Sequence, residues 1–301
     1  MTRRFTTLDV FTDTAFTGNP LAVVLDGDGL DDAQMQTVAR EFNLSETVFV
    51  LPPENPAHLA RLRIFTPESE LPFAGHPTVG TAVLLAGLDW GEDATRDGIM
   101  VLEEKIGPVR VGVKLEAGAP GFAEFDAPEP PTEAGRAASR EELATALGLM
   151  PNDIGFENHR PTLFAIGSAF AFVPVRETEA LARARPVRDL WQPAFGRGRG
   201  LAYLYTRPET KARGVFQARC FAPTLGIEED PATGSAAAAF AGVAAKFESL
   251  PDGRHEVTLN QGVEMGRPSL LRTTARRTEG GIRSTVGGGC VPMLRGEAVL
   301  D

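Results

Sequence analysis

Short apolar runs alternate with amphipathic stretches along this chain, a pattern that predicts interleaved β-strands and α-helices. Runs rich in β-branched and aromatic residues predict strands, which in the first part of the chain fall at 5–11, 20–25, 46–51, 59–65, 98–104 and 109–115. The segment DDAQMQTVAREF carries apolar residues at helical spacing, so we predict a helix capped by Asp31. A second helix, TVGTAVLLAG, follows the Gly-His-Pro segment at 75–77 and is predicted to end at Gly87.

A stretch rich in Pro, Gly and acidic residues, 116–137, is the predicted boundary between two domains, although FAEF within it fits a strand. Beyond it the alternation resumes, with predicted helices at 140–149, at 177–185 and from Gly234, and predicted strands at 162–175 (bent at Gly167), 200–206, 214–221 and within 255–301. We therefore predict an N-terminal half over 1–120, a C-terminal half over 121–285, and a closing strand over 286–301 that returns to the N-terminal half.

The two halves partly repeat each other. FTPESELPFAGHPTVGTA begins at Phe65 and FAPTLGIEEDPATGSAAAA begins at Phe221, and the second copy is three residues longer before its small-residue helix. Upstream, GNPLAVVL at 18–25 matches GSAFAFVPV at 167–175, and each is followed by a helix and then a strand. Several matches in the same order predict an internal duplication.

Each predicted half contains a helix that opens with small residues, at Gly75 and at Gly234. The first N–H groups of a helix lack internal partners, and with the helix dipole they form an anion site. Two such sites would suit a small carboxylate substrate. The alternative is that both glycines only permit close packing of the helices.

Three ionisable residues break the symmetry of the repeat. Glu46 precedes the TVFVL strand, whereas its counterpart near Gly200 carries no acid; His76 opens the first helix and Asp230 precedes the second. Two carboxylates and an imidazole on neighbouring loops could move a proton. Each residue also has a structural explanation: a charge at a strand end, a capping residue, and a turn residue before Pro231.

Composition and charge limit the classes of function that this chain can have. The 301 residues carry a net charge of −10, which excludes a general nucleic-acid binder. No apolar run is long enough to span a membrane and the N-terminus does not fit a secretory signal, so we expect a cytoplasmic protein without a membrane partner. The two cysteines and the scattered histidines do not fit a disulfide framework or a metal site.

An ordered set of motifs resembles the PhzF-like family, the phenazine-biosynthesis isomerases built on the diaminopimelate epimerase fold. The motifs are DVFTDTAFTGNPLAVV, NLSETVFV, FTPESELPFAGHPTVGTA, EDPATGSAAAA and QGVEMGRPS. The resemblance implies an α/β (α+β) fold of two pseudo-symmetric domains, each a twisted, mostly antiparallel sheet around a central helix. It also implies an active site between the domains, a homodimer, and no metal or organic cofactor.

The resemblance assigns residues as well. By the match to NLSET, Glu46 is expected to be the acid/base that moves a proton between ring carbons of trans-2,3-dihydro-3-hydroxyanthranilate or an analogue. His76, Asp230 and Ser235 match the other polar catalytic positions. The expected substrate-binding residues are Asn19, Ser45, Gly75 and Gly234.

Two other functions remain open on the same fold. One is a protein that binds or responds to a small carboxylate without turnover. A racemase or epimerase is less favoured, because diaminopimelate epimerases place cysteines before the two central helices, where this chain has Ala74 and Thr233.

Overall fold

The computed structural model describes residues 2–196, 200–210 and 212–299. These residues form two compact units. The first unit contains residues 2–128 and 287–299, and the second contains residues 129–286. Within the described residues, no helix combines the length and the apolar character needed to cross a membrane.

The first unit contains eight complete strands, the end of a ninth and two helices. In chain order they are β1 (Thr2–Val10), β2 (Asn19–Val24), α1 (Asp32–Phe42), β3 (Glu46–Leu51), β4 (Ala60–Phe65), β5 (Glu70–Leu71), α2 (Gly75–Trp90), β6 (Arg96–Glu104), β7 (Gly107–Leu115) and β8 (Gly121–Asp126). The last strand, β17 (Gly281–Val299), begins in the second unit and enters the first at Gly287.

The strands of the first unit close on themselves around α2. The pairings run β1–β2–β3–β4–β6–β7–β8–β17, and β17 pairs with β1 to complete the ring. Helix α2 is apolar on nearly every side, so it is buried inside this ring and packs on β1, β2, β3, β6, β7 and β8. The surrounding strands therefore hold the first residues of α2 in a fixed position.

The second unit is built from the same parts. In chain order they are β9 (Thr132–Glu133), α3 (Arg140–Ala146), β10 (Thr162–Ile166), β11 (Ser168–Pro174), α4 (Thr178–Arg183), α5 (Arg188–Phe195), β12 (Ala202–Thr206), β13 (Val215–Ala222), β14 (Ile227–Asp230), α6 (Gly234–Phe247), β15 (Gly253–Gln261) and β16 (Ser269–Thr278). Its buried helix, α6, packs on β9, β10, β11, β15 and β16.

Pairing directions repeat between the units. Strands β1 to β4 pair antiparallel, parallel and antiparallel in turn, and β10 to β13 do the same. β4 then pairs antiparallel with β5 and parallel with β6, just as β13 does with β14 and β15. Each unit is therefore a mostly antiparallel sheet with a central helix, which agrees with the predicted fold class.

Strand register aligns the two copies residue by residue. Thr47 pairs with Phe65, and Ala202 pairs with Phe221. Glu46 therefore corresponds to Leu201, an apolar residue, so the second copy has no acid at that position.

The same register extends to the segments before the central helices. Ile64 pairs with Leu71, and Cys220 pairs with Asp230, so Asp230 corresponds to Leu71. The three extra residues of the second copy therefore lie between Phe221 and Asp230, where a 3-10 turn forms. The first copy therefore has no acid at the position that corresponds to Asp230.

The parallel strands add one more correspondence. Ala60 pairs with Leu102, and its counterpart Phe216 pairs with Leu259. Two residues further on, Glu104 ends β6 and Gln261 ends β15. Glu104 and Gln261 therefore occupy the same position in the two units.

Two local predictions need correction, and one helix was missed. Helix α2 continues past Gly87 to Trp90, because a glycine can remain inside a helix when the neighbouring residues are helix formers. At Gly167 the chain reverses rather than bends: Ile166 pairs with Ser168, and the positive φ of 67° at Gly167 forms a tight hairpin between β10 and β11. Helix α5 was not predicted, since Pro193 lies inside it.

Candidate active site

Glu46 is the first residue of β3, where it pairs with Leu21 of β2. Strand β3 lies between β2 and β4, and its apolar residues pack in the core. The carboxylate at the start of this strand is therefore mostly removed from water. Only 8% of Glu46 is exposed, and Ser45 just before it is half-buried. A carboxylate in this position is shielded from bulk solvent.

His76 is the second residue of α2, after Gly75. Ala74, the residue that caps the helix, has no side chain able to accept a hydrogen bond from the first turn. Both Gly75 and His76 are buried. The opening of this helix therefore presents backbone N–H groups that no capping side chain engages.

The fold brings Glu46, His76 and Asn19 together. Oε2 of Glu46 lies 3.4 Å from Nδ1 of His76, and Nδ2 of Asn19 lies 3.3 Å from the same nitrogen. Asn19 is the first residue of β2 and is fully buried. Three of the eight predicted site residues thus form one contact cluster inside the first unit.

Burial controls the charge of His76. Because the imidazole is removed from water, its pKa falls to about 3, so the ring is neutral at physiological pH. The other ring nitrogen, Nε2, has no hydrogen-bond partner among the described residues. His76 can therefore accept or donate a hydrogen bond in this site, but it does not act as a cation.

The contacts around Nδ1 fit either tautomer of the neutral His76 ring. An amide nitrogen only donates, so with Asn19 placed as it is, the Nδ1 lone pair accepts from the Asn19 NH₂. When the Asn19 amide is turned by half a rotation, Nδ1–H faces the amide oxygen instead. In both cases the Glu46 carboxyl lies beside a neutral ring.

The second unit contains a separate polar group before α6. Asp230 ends β14 and is 7% exposed, and Thr233 Oγ1 donates to its Oδ2 at 2.6 Å. Gly234 and Ser235 are the first two residues of α6; the glycine is buried and the serine is half-buried. Asp230, Gly234 and Ser235 thus lie within six residues at the opening of one buried helix.

Sequence reasoning overlooked the residues that surround these groups. Thr233 contacts Asp230, and Gln261 of β15 hydrogen-bonds to Thr233 and to the backbone of Asp230. In the first unit, Thr78 Oγ1 lies 2.6 Å from Oε1 of buried Glu104. The QGVEMGRPS motif contained Gln261, but a glutamine does not titrate and the motif alone assigned it no chemistry.

A large cavity in the first unit lies elsewhere. It has a volume of about 990 Å³ and its wall is strongly charged. The charges pair with each other, Arg63 with Asp32 and Glu70, and Arg61 with Glu54. None of the predicted site residues is among the described residues that line it. We therefore base the candidate site on the Glu46 cluster and not on cavity size.

No group of three or more potential metal ligands occurs within the described ranges. Cys220 and Cys290 are both buried, in β13 and β17, and burial raises the pKa of the Cys290 thiol well above its usual range. Neither cysteine precedes a central helix. The two positions that hold thiols in a diaminopimelate epimerase are the capping residues Ala74 and Thr233.

Comparison with known proteins identifies the family. The family model described as phenazine biosynthesis-like protein matches residues 8–296. The chain is 47% identical to an uncharacterized isomerase of Mesorhizobium japonicum, over 99% of each chain. It is 36% identical to the trans-2,3-dihydro-3-hydroxyanthranilate isomerase of Pseudomonas fluorescens, over 97% of this chain and 98% of that one.

A solved structure agrees. The PhzF-family phenazine biosynthesis protein of Bacillus anthracis superposes with a TM-score of 0.88 at 25% identity, and the match covers 100% of both chains. With a family model over nearly the whole chain, relatives that are named isomerases and a matching fold, this chain belongs to the PhzF phenazine biosynthesis-like family and is an isomerase.

Proposed function

We propose that this isomerase moves a proton between two carbons of a small carboxylate-bearing metabolite, with Glu46 as the acid/base. The observation that carries the proposal is the contact between the carboxylate of Glu46 and the neutral ring of His76. A base that removes a proton from carbon must be shielded from water, and Glu46 is 8% exposed.

In the proposed reaction, Glu46 alone both removes and returns the proton. Ionised Glu46 takes a proton from one carbon, the electron pair of that C–H bond shifts into the adjacent π-system, and Glu46–H returns a proton to a second carbon. Substrate and product then differ only in the positions of a C–H bond and a double bond. His76 stays neutral in both steps, because its pKa of about 3 keeps it from taking up the proton.

The substrate's carboxylate has a matching site in this proposal. The opening of α2 offers the N–H groups of Gly75 and His76 with no side-chain cap, and a helix N-terminus favours a negative charge. Ser45, which precedes Glu46 in the sequence and is half-buried, is a further substrate-binding residue in this proposal. Binding the carboxylate here would fix which carbon faces Glu46.

For the second unit we propose the roles that the family match suggests. Asp230 and Ser235 hold the substrate and assist proton transfer, and Gly234 contributes a backbone N–H. Asp230 occurs in only one copy of the repeat, which supports a special role for it, since its counterpart is Leu71.

The proposed substrate is trans-2,3-dihydro-3-hydroxyanthranilate or an analogue. The relative named for that reaction is 36% identical over nearly the whole chain. The chemistry fits as well, because this compound carries a carboxylate and is isomerised by moving a proton between ring carbons. No oxidant, reductant or second substrate is required.

Proton NMR in deuterated water tests both parts of the proposal. Wild-type protein is expected to consume trans-2,3-dihydro-3-hydroxyanthranilate and to place deuterium on a ring carbon. Glu46→Gln keeps the size of the side chain but removes the base, so we expect turnover to be abolished while folding and ligand binding remain. Glu68→Gln is the matched control, because Glu68 is exposed on the same unit.

The outcomes separate the alternatives. Full activity in Glu46→Gln would overturn the assignment of the base. Tight calorimetric binding of a carboxylate without deuterium uptake would indicate a binding protein. If the wild type leaves this substrate unchanged, the substrate assignment fails, and other small carboxylates become the candidates.

A further inference from the structure

The side chain of Gln261 hydrogen-bonds to two residues of the segment before α6. Gln261, fully buried at the end of β15, receives a hydrogen bond at Oε1 from the backbone N–H of Thr233, at 3.2 Å. Its Nε2 donates to the backbone oxygen of Asp230 at 2.8 Å and to Oγ1 of Thr233 at 3.0 Å. Thr233 Oγ1 in turn lies 2.6 Å from Oδ2 of Asp230.

The partners fix the direction of every hydrogen bond. A backbone N–H only donates, so the Gln261 atom facing Thr233 N must be the amide oxygen, and the atom facing the Asp230 carbonyl must be the NH₂. The Thr233 hydroxyl therefore accepts from Gln261. Its single proton is left for the Asp230 carboxylate. The network runs in one direction, from Gln261 through Thr233 to Asp230.

We infer that Gln261 and Thr233 are positioning residues for Asp230, which orient its carboxylate and favour its ionised form. This inference rests on the proposed function of Asp230. The contact at Oδ2 holds the carboxylate at one of its two oxygens, so the direction in which the group points depends on Thr233 and, through it, on Gln261.

The first unit shows that the fold itself does not need this network. At the corresponding positions it has Leu71 for Asp230, Ala74 for Thr233 and Glu104 for Gln261. The helix that follows, α2, nevertheless begins at the corresponding residue. A strand–loop–helix connection of this type therefore forms without the hydroxyl, so the network serves the carboxylate of Asp230.

Direct titration of Asp230 tests the inference without any substrate. The resonance is observed in protein labelled with ¹³C at the aspartate carboxyl and is assigned with Asp230→Asn. Removing the hydroxyl in Thr233→Val is expected to raise the pKa of Asp230 by about one to two pH units, because a hydrogen bond to the ionised form is lost. Thr233→Ser keeps the hydroxyl and is expected to restore the wild-type value.

Gln261→Leu tests the relay while Thr233 stays in place and adds no charge. Without the amide that holds it, the Thr233 hydroxyl can turn away from the carboxylate, so the pKa of Asp230 is again expected to rise. Thr273→Val is the matched control, because the buried Thr273 hydroxyl has no hydrogen-bond partner among the described residues. An Asp230 pKa that is the same in Thr233→Val and wild type would overturn the inference.

Other titratable groups near Asp230 are the same in wild type and in the neutral variants at Thr233 and Gln261. Cys220 pairs with Asp230 from β13, and Tyr203 pairs with Cys220 from β12. Burial raises the pKa of Tyr203 well above its ordinary value, so the phenol stays neutral during the titration. A change confined to the Thr233 and Gln261 variants therefore reports on the network.

Catalysis provides the second readout. On a substrate that the wild type isomerises, Thr233→Val is expected to lower kcat by up to about 100-fold, and to move one limb of the pH–rate profile in the same direction as the Asp230 pKa. An unchanged kcat and profile would refute a positioning role. If the wild type shows no turnover, the proposed function is refuted. The inference about Asp230 is then still decided by the titration, which needs no substrate.

Discussion

Glu104 and Gln261 occupy the same position in the two units, yet only Gln261 has hydrogen-bond partners at both atoms of its terminal group. Oε1 of Glu104 lies 2.6 Å from Oγ1 of Thr78, a hydroxyl that also contacts the backbone oxygen of Ala74, and Oε2 of Glu104 has no partner within the part of the chain that the structure describes. Burial raises the pKa of Glu104 to about 8, so this carboxyl is protonated at neutral pH.

Replacing Glu104 by glutamine is expected to remove a pH dependence of stability. Unfolded Glu104 loses its proton near the ordinary value of 4.5, whereas folded Glu104 keeps it up to about pH 8. The folded state therefore binds more protons across this window, and its stability falls as the pH rises from 4.5 to 8. Glu104→Gln should match wild type near pH 5 and exceed it by roughly 3–5 kcal/mol above pH 8.

Urea unfolding at a series of pH values measures this difference directly. Glu68→Gln, an exposed site on the same unit, is the control and should follow the wild-type curve. Parallel curves for wild type and Glu104→Gln between pH 5 and 8 would contradict the assignment of Glu104 as a protonated buried acid.

His76 should not titrate over the range in which the enzyme works. Its pKa of about 3 predicts ring resonances that stay constant from pH 5 to 8. Asn19→Asp would place a negative charge near the ring nitrogen that Asn19 contacts at 3.3 Å, which should raise the pKa of His76 by about one to three pH units. Histidine NMR titration distinguishes these cases, and a wild-type His76 that titrates near pH 6.5 would refute the buried environment.

Adding a methyl group at each of two glycines of α2 should change the free energy of unfolding in opposite directions. A Cβ at Gly80 would lie 2.7 Å from Leu21 Cδ2 and from Val10 Cγ2, two fully buried core residues. Gly80→Ala should therefore lower the free energy of unfolding by about 1–3 kcal/mol. A Cβ at Gly87 meets nothing within 4 Å, so Gly87→Ala should raise it by about 0.5–1 kcal/mol. Denaturant unfolding tests both, and equal effects would contradict the packing of α2.

Thiol reagents should leave the isomerase active. Cys220 and Cys290 are buried, and the raised pKa of Cys290 disfavours its reactive thiolate. We expect native protein to resist iodoacetamide and the Cys290→Ala variant to retain activity on any substrate the wild type isomerises. Rapid inactivation by the reagent would instead point to thiol chemistry of the racemase type.

Local signals predicted most secondary structure. Asp31 caps α1 and forms a reciprocal pair of hydrogen bonds with Gln34, so the sequence marked that helix start clearly. Other signals were ambiguous, because a glycine fits both a helix interior and a helix end. Gly87 is the interior case, and Gly167 is a hairpin that a continuous apolar run concealed.

Candidate site residues could be predicted only where they stood in a motif to which the family resemblance assigns a role. Glu46 and His76 were identified from motifs 30 residues apart, and the structure brings them into contact. Gln261 was not identified, because its partners lie about 30 residues upstream and become neighbours only through the parallel pairing of β13 with β15. Long-range register, which a pattern of apolar residues does not contain, determines that contact.

The shared strand β17 has a consequence for the order in which the chain folds. Thr2 pairs with Val299 and Val10 with Cys290, so the ring of the first unit cannot close until β17, which follows the second unit, has left the ribosome. The second unit is contiguous, from Glu129 to Val286, and has no such delay. Contacts so distant in sequence form slowly. Although the N-terminal unit is synthesised first, it is therefore the last to be completed, and until then the unpaired edge of β1 is a point of vulnerability to misfolding.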